Sequence, residues 1–391
     1  MRAQDNPYTP NAGARPPALV GRDEEMAAFV VLLTRLLNGH TEQSMLITGL
    51  RGVGKTVLLT KFEEMAREAR WITVEAEITR GSDFGERMAN LARRALLQVA
   101  PRARWKKRAT RAAAILRSFQ LTVRSDGSHT AGFEVDPAEG LADSGQLDDD
   151  LTDVFVALGE AAQEHGTGVV FLIDEVQFLA SPEFEALIAA IHKTVQRQLP
   201  ITLVGAGLPQ LPRLAGEAKS YAERLFKFPR IGRLPEEAAR AALVDPAERL
   251  GVGFEPDALA AVVGYTEGYP YFLQEYGNAL WNGIEASPVS GEDVALARAT
   301  VEAKLDGGFF RVRIERTSEL EQRYLRAMAE LGPEPQAAKD VATLLDRTSE
   351  QLAPIRARLI EKGLLYTPGR GLAAFTVPQF DRFMRRTYAL Q

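Results

Sequence analysis

The strongest chemistry in the chain is carried by a glycine-spaced octet, Gly49-Leu50-Arg51-Gly52-Val53-Gly54-Lys55-Thr56. Glycines at this spacing let backbone N–H groups curl around phosphate oxygens, and a helix starting directly after the loop adds the positive end of its dipole. In that arrangement Lys55 reaches the β and γ phosphates of a nucleoside triphosphate. The Thr56 hydroxyl takes a place in the Mg²⁺ shell, and Val57 is the next residue of the binding stretch. Such a loop needs an acid beside it, at the carboxyl end of a buried strand. Val169-Val170-Phe171-Leu172-Ile173 ends on Asp174-Glu175 and supplies one. Asp174 is placed for the magnesium, and Glu175 can orient and polarise the attacking water, a task worth about 10²–10⁴-fold. The plainer reading of Asp174-Glu175 is a cap for the helix that follows.

These groups must be positioned by strands and helices, and the apolar spacing predicts which. Asp23 to Leu37, with Met26, Phe29, Val30, Leu33 and Leu37, has helical spacing and ends at Asn38-Gly39. Ser44 to Thr48 reads as a strand, the octet as a loop, and Val57 to Arg70 as a helix burying Leu58, Phe62 and Met65. Trp71 to Ile78 and Ile201 to Val204 read as further strands, and Phe84 to Val99 and Phe184 to Gln198 as helices. Short apolar strands alternating with helices imply an α/β fold, a parallel sheet covered on both faces.

Pro101 to Asp150 breaks the alternation. Arg102, Arg104, Lys106, Lys107, Arg108 and Arg111 stand without an acid among them, whereas Glu134 to Asp153 is dominated by acids. This charge switch reads as an insertion. Phe119 to Arg124 and Ala131 to Val135 flank Ser125-Asp126-Gly127-Ser128, which predicts a protruding β-hairpin.

From Pro235 to about Lys304 the pattern is helical, a small lid. Beyond it come a helix with Leu320, Tyr324, Leu325, Met328 and Leu331, a short helix through Val341, Leu344 and Leu345, and a third through Ile355, Leu359 and Ile360. Leu364 to Thr367 and Leu372 to Val377 then pair across Pro368-Gly369-Arg370-Gly371. Three helices and a two-stranded ribbon make a winged helix-turn-helix. Pro354 fits if the third helix begins only one or two residues earlier. The expected division is a Pro-rich lead over 1–18, a sheet domain over 19–234 with the insertion near 101–150, a lid over 235–310 and a winged-helix domain over 311–391.

Composition narrows the chemistry. The 391 residues are 46% apolar and 25% charged, with a formal charge of −5, no cysteine and four histidines. Cysteine-ligated zinc, disulfides and thiolate nucleophiles are excluded, and catalysis falls to Lys, Asp, Glu and Arg. Apolar runs such as Ala27 to Leu33 fall far short of the roughly 18 residues of a membrane span. No secretion signal opens the chain, so the expected location is the cytoplasm, away from membranes.

The paired motifs GLRGVGKT and VVFLIDE, the upstream Leu19-Val20-Gly21-Arg22-Asp23-Glu24-Glu25 and the winged-helix tail resemble the AAA+ ATPases of the origin-recognition initiator type and the related STAND signalling ATPases. The resemblance implies ATP and Mg²⁺ as ligands. It also implies that Val20-Gly21-Arg22 lies against the adenine, and that Pro270 of Gly268-Tyr269-Pro270 packs on the nucleotide. Gly268 and Pro270 are equally readable as a helix-breaking turn. Arg224 resembles the arginine that AAA+ subunits present to a neighbour's γ phosphate, which implies self-association; its alternative is an ion pair with Glu223 or Glu217. Two positions depart from the family pattern. Gly205-Ala206-Gly207 after Val204 offers no polar sensor, and Tyr269 to Leu273 replaces the lid arginine of initiators.

Two outputs stay open. One is an ATP-hydrolysing switch acting on double-stranded DNA through the basic run and the winged helix. The other is a STAND-like scaffold with slow or no turnover that recruits a protein partner through the winged helix. Its third helix carries Arg356, Arg358 and Lys362 against Glu350 and Glu361, only a weakly basic set.

Overall fold

A computed structural model describes residues 2–11, 13–123 and 135–389. After helix α1 (Asp23–Leu37), strand β1 (Ser44–Thr48) delivers the glycine loop to helix α2 (Lys55–Glu68). Strand β2 (Ile72–Glu77) is followed by α3 (Phe84–Val99), α4 (Lys107–Val123) and α5 (Leu147–Glu164). Then come β3 (Val169–Asp174), α6 (Ser181–Gln196), β4 (Ile201–Gly207), α7 (Leu211–Ala218), the single turn α8 (Ala222–Leu225) and β5 (Phe226–Lys227). The strands pair in parallel in the order β2-β3-β4-β1-β5. Only β4 separates β1 from β3, so the loop and the acids emerge at the same edge of the sheet.

Parallel strands lie between two layers, and β1 and β4 are buried at every position. One face is covered by α3 to α7, the other by α1 and α2. On α1 the buried residues are Phe29, Leu32, Leu33 and Leu36, while Val30 and Leu37, expected inside, are exposed. β4 runs three residues past Val204. A Cβ on Gly205 would sit 2.6 Å from Leu46 Cδ2, so this part of the strand is glycine-lined because its neighbours leave no room.

The expected hairpin is corrected where the structure describes it. Phe119 to Val123 is the last turn of α4, and residues 124–134, with the turn at Ser125 to Ser128, lie outside the described residues. Nor does the segment protrude. Ala109, Ala112, Ala113, Ile115, Leu116 and Phe119 are buried against α3 and α5, which makes α4 part of the sheet's helical layer. Helical periodicity in Ala109 to Phe119 outweighed the expected strand from Phe119 onward.

The second half of the chain is helical: α9 (Glu236–Glu248), α10 (Pro256–Thr266), α11 (Pro270–Gly283), α12 (Gly291–Lys304), a π-helical stretch Leu305–Arg311 and α13 (Val312–Ile314). It continues with α14 (Glu319–Leu331), β6 (Gln336–Ala337), α15 (Ala338–Leu344), α16 (Ser349–Glu361), β7 (Leu365–Tyr366), β8 (Leu372–Phe375) and α17 (Phe380–Thr387). β8 pairs antiparallel with both β7 and β6. One apolar core runs through all of it, from Leu243, Phe272 and Tyr276 to Phe310, Phe380 and Phe383. Pro354 is well inside α16, five residues past its start, which corrects the expected boundary. It stands at an exposed position, where water can satisfy the carbonyl that loses its helical donor.

Glu321 staples this C-terminal part together and is 1% exposed. Burial alone would push its carboxyl up, but Lys362 Nζ at 2.7 Å, the Ser318 N–H at 2.7 Å and Arg358 Nε at 3.2 Å all donate to it and hold it at about 2. Because the folded value lies below the ordinary 4.5, its contribution is complete above that pH and is lost as pH falls toward about 2. Glu321→Gln is expected to cost about 2 kcal/mol in urea unfolding at pH 7. The gap to wild type should shrink as pH drops below about 4.5; a gap that stays constant with pH would assign the loss to packing.

Candidate nucleotide-binding site

The glycine loop is shaped by two left-handed residues, Gly52 (φ +79°) and Gly54 (φ +92°), the latter directly before α2. Gly49 has no space for a side chain, since a Cβ there would stand 2.5 Å from the Ile231 carbonyl. Lys55 Nζ donates to the Gly49 and Leu50 carbonyls at 3.0 and 2.8 Å. Burial lowers the pKa of its ammonium, opposed by the nearby charges of Glu175 and Asp174. Thr56 Oγ1 donates to Asp174 Oδ2 at 2.6 Å, and Asp174 Oδ1 accepts from the Glu175 N–H at 2.8 Å.

The ammonium and the hydroxyl are thus satisfied internally at the positions where phosphate oxygens and a divalent cation would compete for them. Thr56 Oγ1 and the Asp174 carboxylate are adjacent hard oxygen donors, which suits Mg²⁺. Among the described residues no group of three or more His, Cys, Asp or Glu could hold a metal by itself. Mg²⁺ here would need phosphate and water to complete its shell.

Glu175 sits in the left-handed region (φ +55°), which turns its carboxylate away from the strand line. That carboxylate accepts a hydrogen bond from Gln177 Nε2, while Gln177 Oε1 accepts from the Leu208 N–H at 3.1 Å. Gln177 therefore bridges the acid and the end of β4. A Cβ on Gly207 would approach Gln177 Oε1 to 2.3 Å, so the side chain lies flat against that strand end. The sequence reading missed Gln177, although its place two residues after Glu175 is a signal that was there to use.

A cavity of about 420 Å³ opens over the loop. Arg51 to Val57, Glu175, Val20, Arg22 and Pro270 all line it, so most of the residues expected at the site share one wall. Gly21, Gly49 and Leu50 are not on the wall. Gly49 and Leu50 act through the carbonyls that hold Lys55, and a Cβ on Gly21 would be 2.9 Å from Ala238 Cβ. The Arg22 guanidinium is buried and donates to the Val53, Gly232 and Gly21 carbonyls at 3.2, 2.8 and 3.0 Å, so it ties the loop to the start of the lid. Gly268 (φ +70°) makes a tight turn against the Leu234 carbonyl, and Pro270 starts α11; the turn and the cavity wall coincide.

The cavity has three walls that the sequence reading did not give it. Residues of the N-terminal lead from Thr9 to Ala18 cover it, Tyr271 and Gln274 face it from α11, and Gly308, Phe309 and Arg313 reach it from the segment after α12. Tyr8 anchors the lead with a buried ring whose hydroxyl donates to the Leu243 carbonyl at 2.5 Å. Arg224 is elsewhere. Its carbonyl accepts from Gln43 Nε2 beside the start of β1, a strand length or about 16 Å from the loop. Glu217 is engaged by Arg213 instead.

Residues 18–204 match the AAA ATPase domain family, and residues 307–384 match a domain of unknown function (DUF8462). No curated protein matches the chain. Among solved structures, the Walker-type ATPase paby2304 of Pyrococcus abyssi overlays with a TM-score of 0.58 at 14% identity, covering 95% of this chain and 97% of that one. The Aeropyrum pernix ORC1 protein in complex with DNA (17% identity, 95% and 94% covered) and the Thermotoga maritima RuvB Holliday junction branch migration motor (14%, 94% and 97%) overlay with TM-scores of 0.45. At that overlap they say nothing about this chain's activity. Domain match, sheet and loop together give the N-terminal part the α/β P-loop NTPase fold of the AAA+ kind.

Lys55→Ala is expected to weaken ATP binding about a hundredfold or more, the loss of charge-assisted hydrogen bonds to two phosphates. Calorimetric titration checks it, and an affinity equal to wild type would remove the phosphate role from the loop.

Proposed function

We propose that this AAA+ P-loop ATPase domain works as a slow, nucleotide-gated switch whose state is read by the C-terminal region docked on its phosphate loop. The observation that carries the reading is that the loop is bonded from two sides. Arg51 N–H donates to the Thr376 carbonyl of the C-terminal ribbon at 2.9 Å, and Gly52 accepts from the Tyr271 N–H of the lid at 3.2 Å. Any change in the loop's shape on binding Mg²⁺ and ATP is felt by both.

In this reading Lys55 leaves the Gly49 and Leu50 carbonyls for the phosphates. Thr56 and Asp174 open to admit Mg²⁺, which neutralises phosphate charge when bound. Glu175 then acts as general base toward water, once its carboxylate is released by Gln177. That release is a step before chemistry, and it is Gln177, on the turn after β3, that brings a polar side chain to the acid where the glycines ending β4 bring none, which favours slow turnover. Arg224 stands far from its own loop, so any part it takes in hydrolysis is in trans, across a pair of copies.

The order of α14, β6, α15, α16 and the β7–β8 ribbon fits a winged helix. As a DNA reader it is weak, because Arg358 and Lys362 of α16 are both spent on Glu321. This favours a protein partner for the C-terminal region. DNA binding is a second reading supported by a different surface. Arg104, Lys106, Lys107, Arg108 and Arg111 are exposed at the start of α4. Two acids of the segment that follows are engaged by backbone instead: Asp150 accepts from the Ser144 and Gly145 N–H groups and Asp153 from that of Ala142. Lys106 and Arg108 instead meet carbonyls at the end of α5. No helix among the described residues is long and apolar enough to cross a membrane.

Glu175→Gln is expected to keep ATP affinity within about twofold and to lower single-turnover hydrolysis by about 10² or more. Hydrolysis that persists at the wild-type rate would leave Glu175 a structural cap. For the second reading, replacing Arg104, Lys106, Lys107 and Arg108 with Ala should weaken duplex binding alike on all sequences and reduce the slope of log affinity against log salt by up to about 0.9 per lost contact. An unchanged slope together with a lower melting temperature would make the basic face a helix-packing feature.

A further inference from the structure

Arg313 lies in the segment matched only as a domain of unknown function, yet its side chain lines the same cavity as Lys55 and Glu175. It is fixed there before any ligand arrives. Its guanidinium stacks 4.2 Å over the Phe309 ring, and Nη1 donates to the Phe309 carbonyl. Phe309 stacks in turn on Tyr271, with ring centroids 4.6 Å apart, and the Tyr271 N–H holds the Gly52 carbonyl. An unbroken chain of contacts therefore sets Arg313 relative to the tip of the phosphate loop.

The charge around it is unbalanced. Burial lowers the pKa of the Arg313 guanidinium and the nearby charge of Arg51 lowers it further; Arg51 adds in the same way to the effect of burial on Lys55. Among the described residues neither arginine forms an ion pair with a carboxylate, and Arg51 Nε is buried without a hydrogen-bond partner. Two planar guanidiniums gathered in a half-dehydrated cavity repel one another unless an anion lies between them. Phosphate oxygens match their donor geometry in a two-pronged fashion.

We propose that Arg313, together with Arg51, forms a guanidinium clamp for the terminal phosphates of the bound nucleoside triphosphate, contributed within the same chain by the segment that leads into the C-terminal region. The proposal rests on the phosphate loop binding ATP. It adds the means by which the C-terminal region reads the number of phosphates. Arg313 follows directly on the π-helical stretch whose Phe310 stacks on Phe383 at 5.1 Å and whose Asp306 pairs with Arg386. A pull on Arg313 is thus a pull on the C-terminal core. The movement would be taken up in the seven-residue π-helix carrying Gly307-Gly308, a helix form met mostly at functional sites.

The test uses the full chain and calorimetric titration of ATP, ADP and AMP into wild type, Arg313→Gln, Arg313→Lys and Lys55→Ala, with hydrogen exchange over residues 307–384. Arg313→Gln should weaken ATP by about tenfold or more, ADP less, and AMP not at all. Arg313→Lys should restore part of the ATP affinity, and ATP-induced protection of 307–384 should be lost in the Gln variant alone of the two. Equal loss for ATP, ADP and AMP, or no loss for any, would overturn the clamp. If Lys55→Ala also bound ATP like wild type, the phosphate-loop reading itself would fail, a result distinct from failure of the clamp.

Discussion

A phosphate-gripping loop must hold a fixed shape while leaving its own N–H groups unspent, and the rest of this molecule is arranged around that constraint. Among the described residues, none of the loop and turn backbone bonds uses the N–H of Gly52, Val53, Gly54, Lys55 or Thr56. The loop is held instead by its margins and by its carbonyls. Gly49 N–H donates to Gly207 of β4, Arg51 N–H to Thr376, Tyr271 N–H to the Gly52 carbonyl, and Arg22 to the Val53 carbonyl. Lys55 takes the carbonyls of Gly49 and Leu50. The supports come from the sheet, the lid, the C-terminal ribbon and the turn before α1, so the loop is the place where all parts of the chain meet.

The same economy explains the acid side of the site. β4 ends in Gly205-Ala206-Gly207 because Leu46 and Gln177 fill the space that side chains would need. A polar group is therefore delivered from Gln177, on the turn after β3, where it engages Glu175 and the Leu208 N–H together. A carboxylate already satisfied by an amide is a poor base until the amide lets go. In the switch proposed above, the barrier to hydrolysis would then include a rearrangement set by the position of β4.

How much of this could be read from the sequence depended on whether the signal was local. The strand–loop–helix placement of the octet and the place of Asp174-Glu175 at the end of β3 were legible because phosphate chemistry demands fixed residue types at fixed spacing, and the strands of the sheet because full burial leaves uninterrupted apolar runs. α4 was misread where an Asp-Gly pair suggested a turn, although the alanine-rich stretch before it packs as a helix. The tight margins of the sequence reading failed at Pro354, where an exposed helix face tolerates a proline. Gln177, Tyr271 and Arg313 were invisible because their meaning comes from contacts between segments far apart in the chain: Arg313 is 262 residues (313 − 51) from Arg51, yet shares its cavity.

The lead at the N-terminus closes the argument about what must move. Tyr8 is buried in the lid core, Thr9 N–H donates to Gln274 Oε1 at 3.0 Å, and Arg15 pairs with Glu64 of α2 at 2.6 Å. The lead thus lines the cavity with Tyr8 sewn into the lid core and Arg15 tied to the sheet domain by an exposed ion pair, before the chain enters α1 at Arg22. Exposed pairs are worth about 1 kcal/mol or less, whereas burying a tyrosine is worth several times that. When the cavity opens, the weak tether should part first and the lead should travel with the lid. Because the lid shares its apolar core with the C-terminal region, the switch proposed above would open for nucleotide and reposition that region in one motion rather than two.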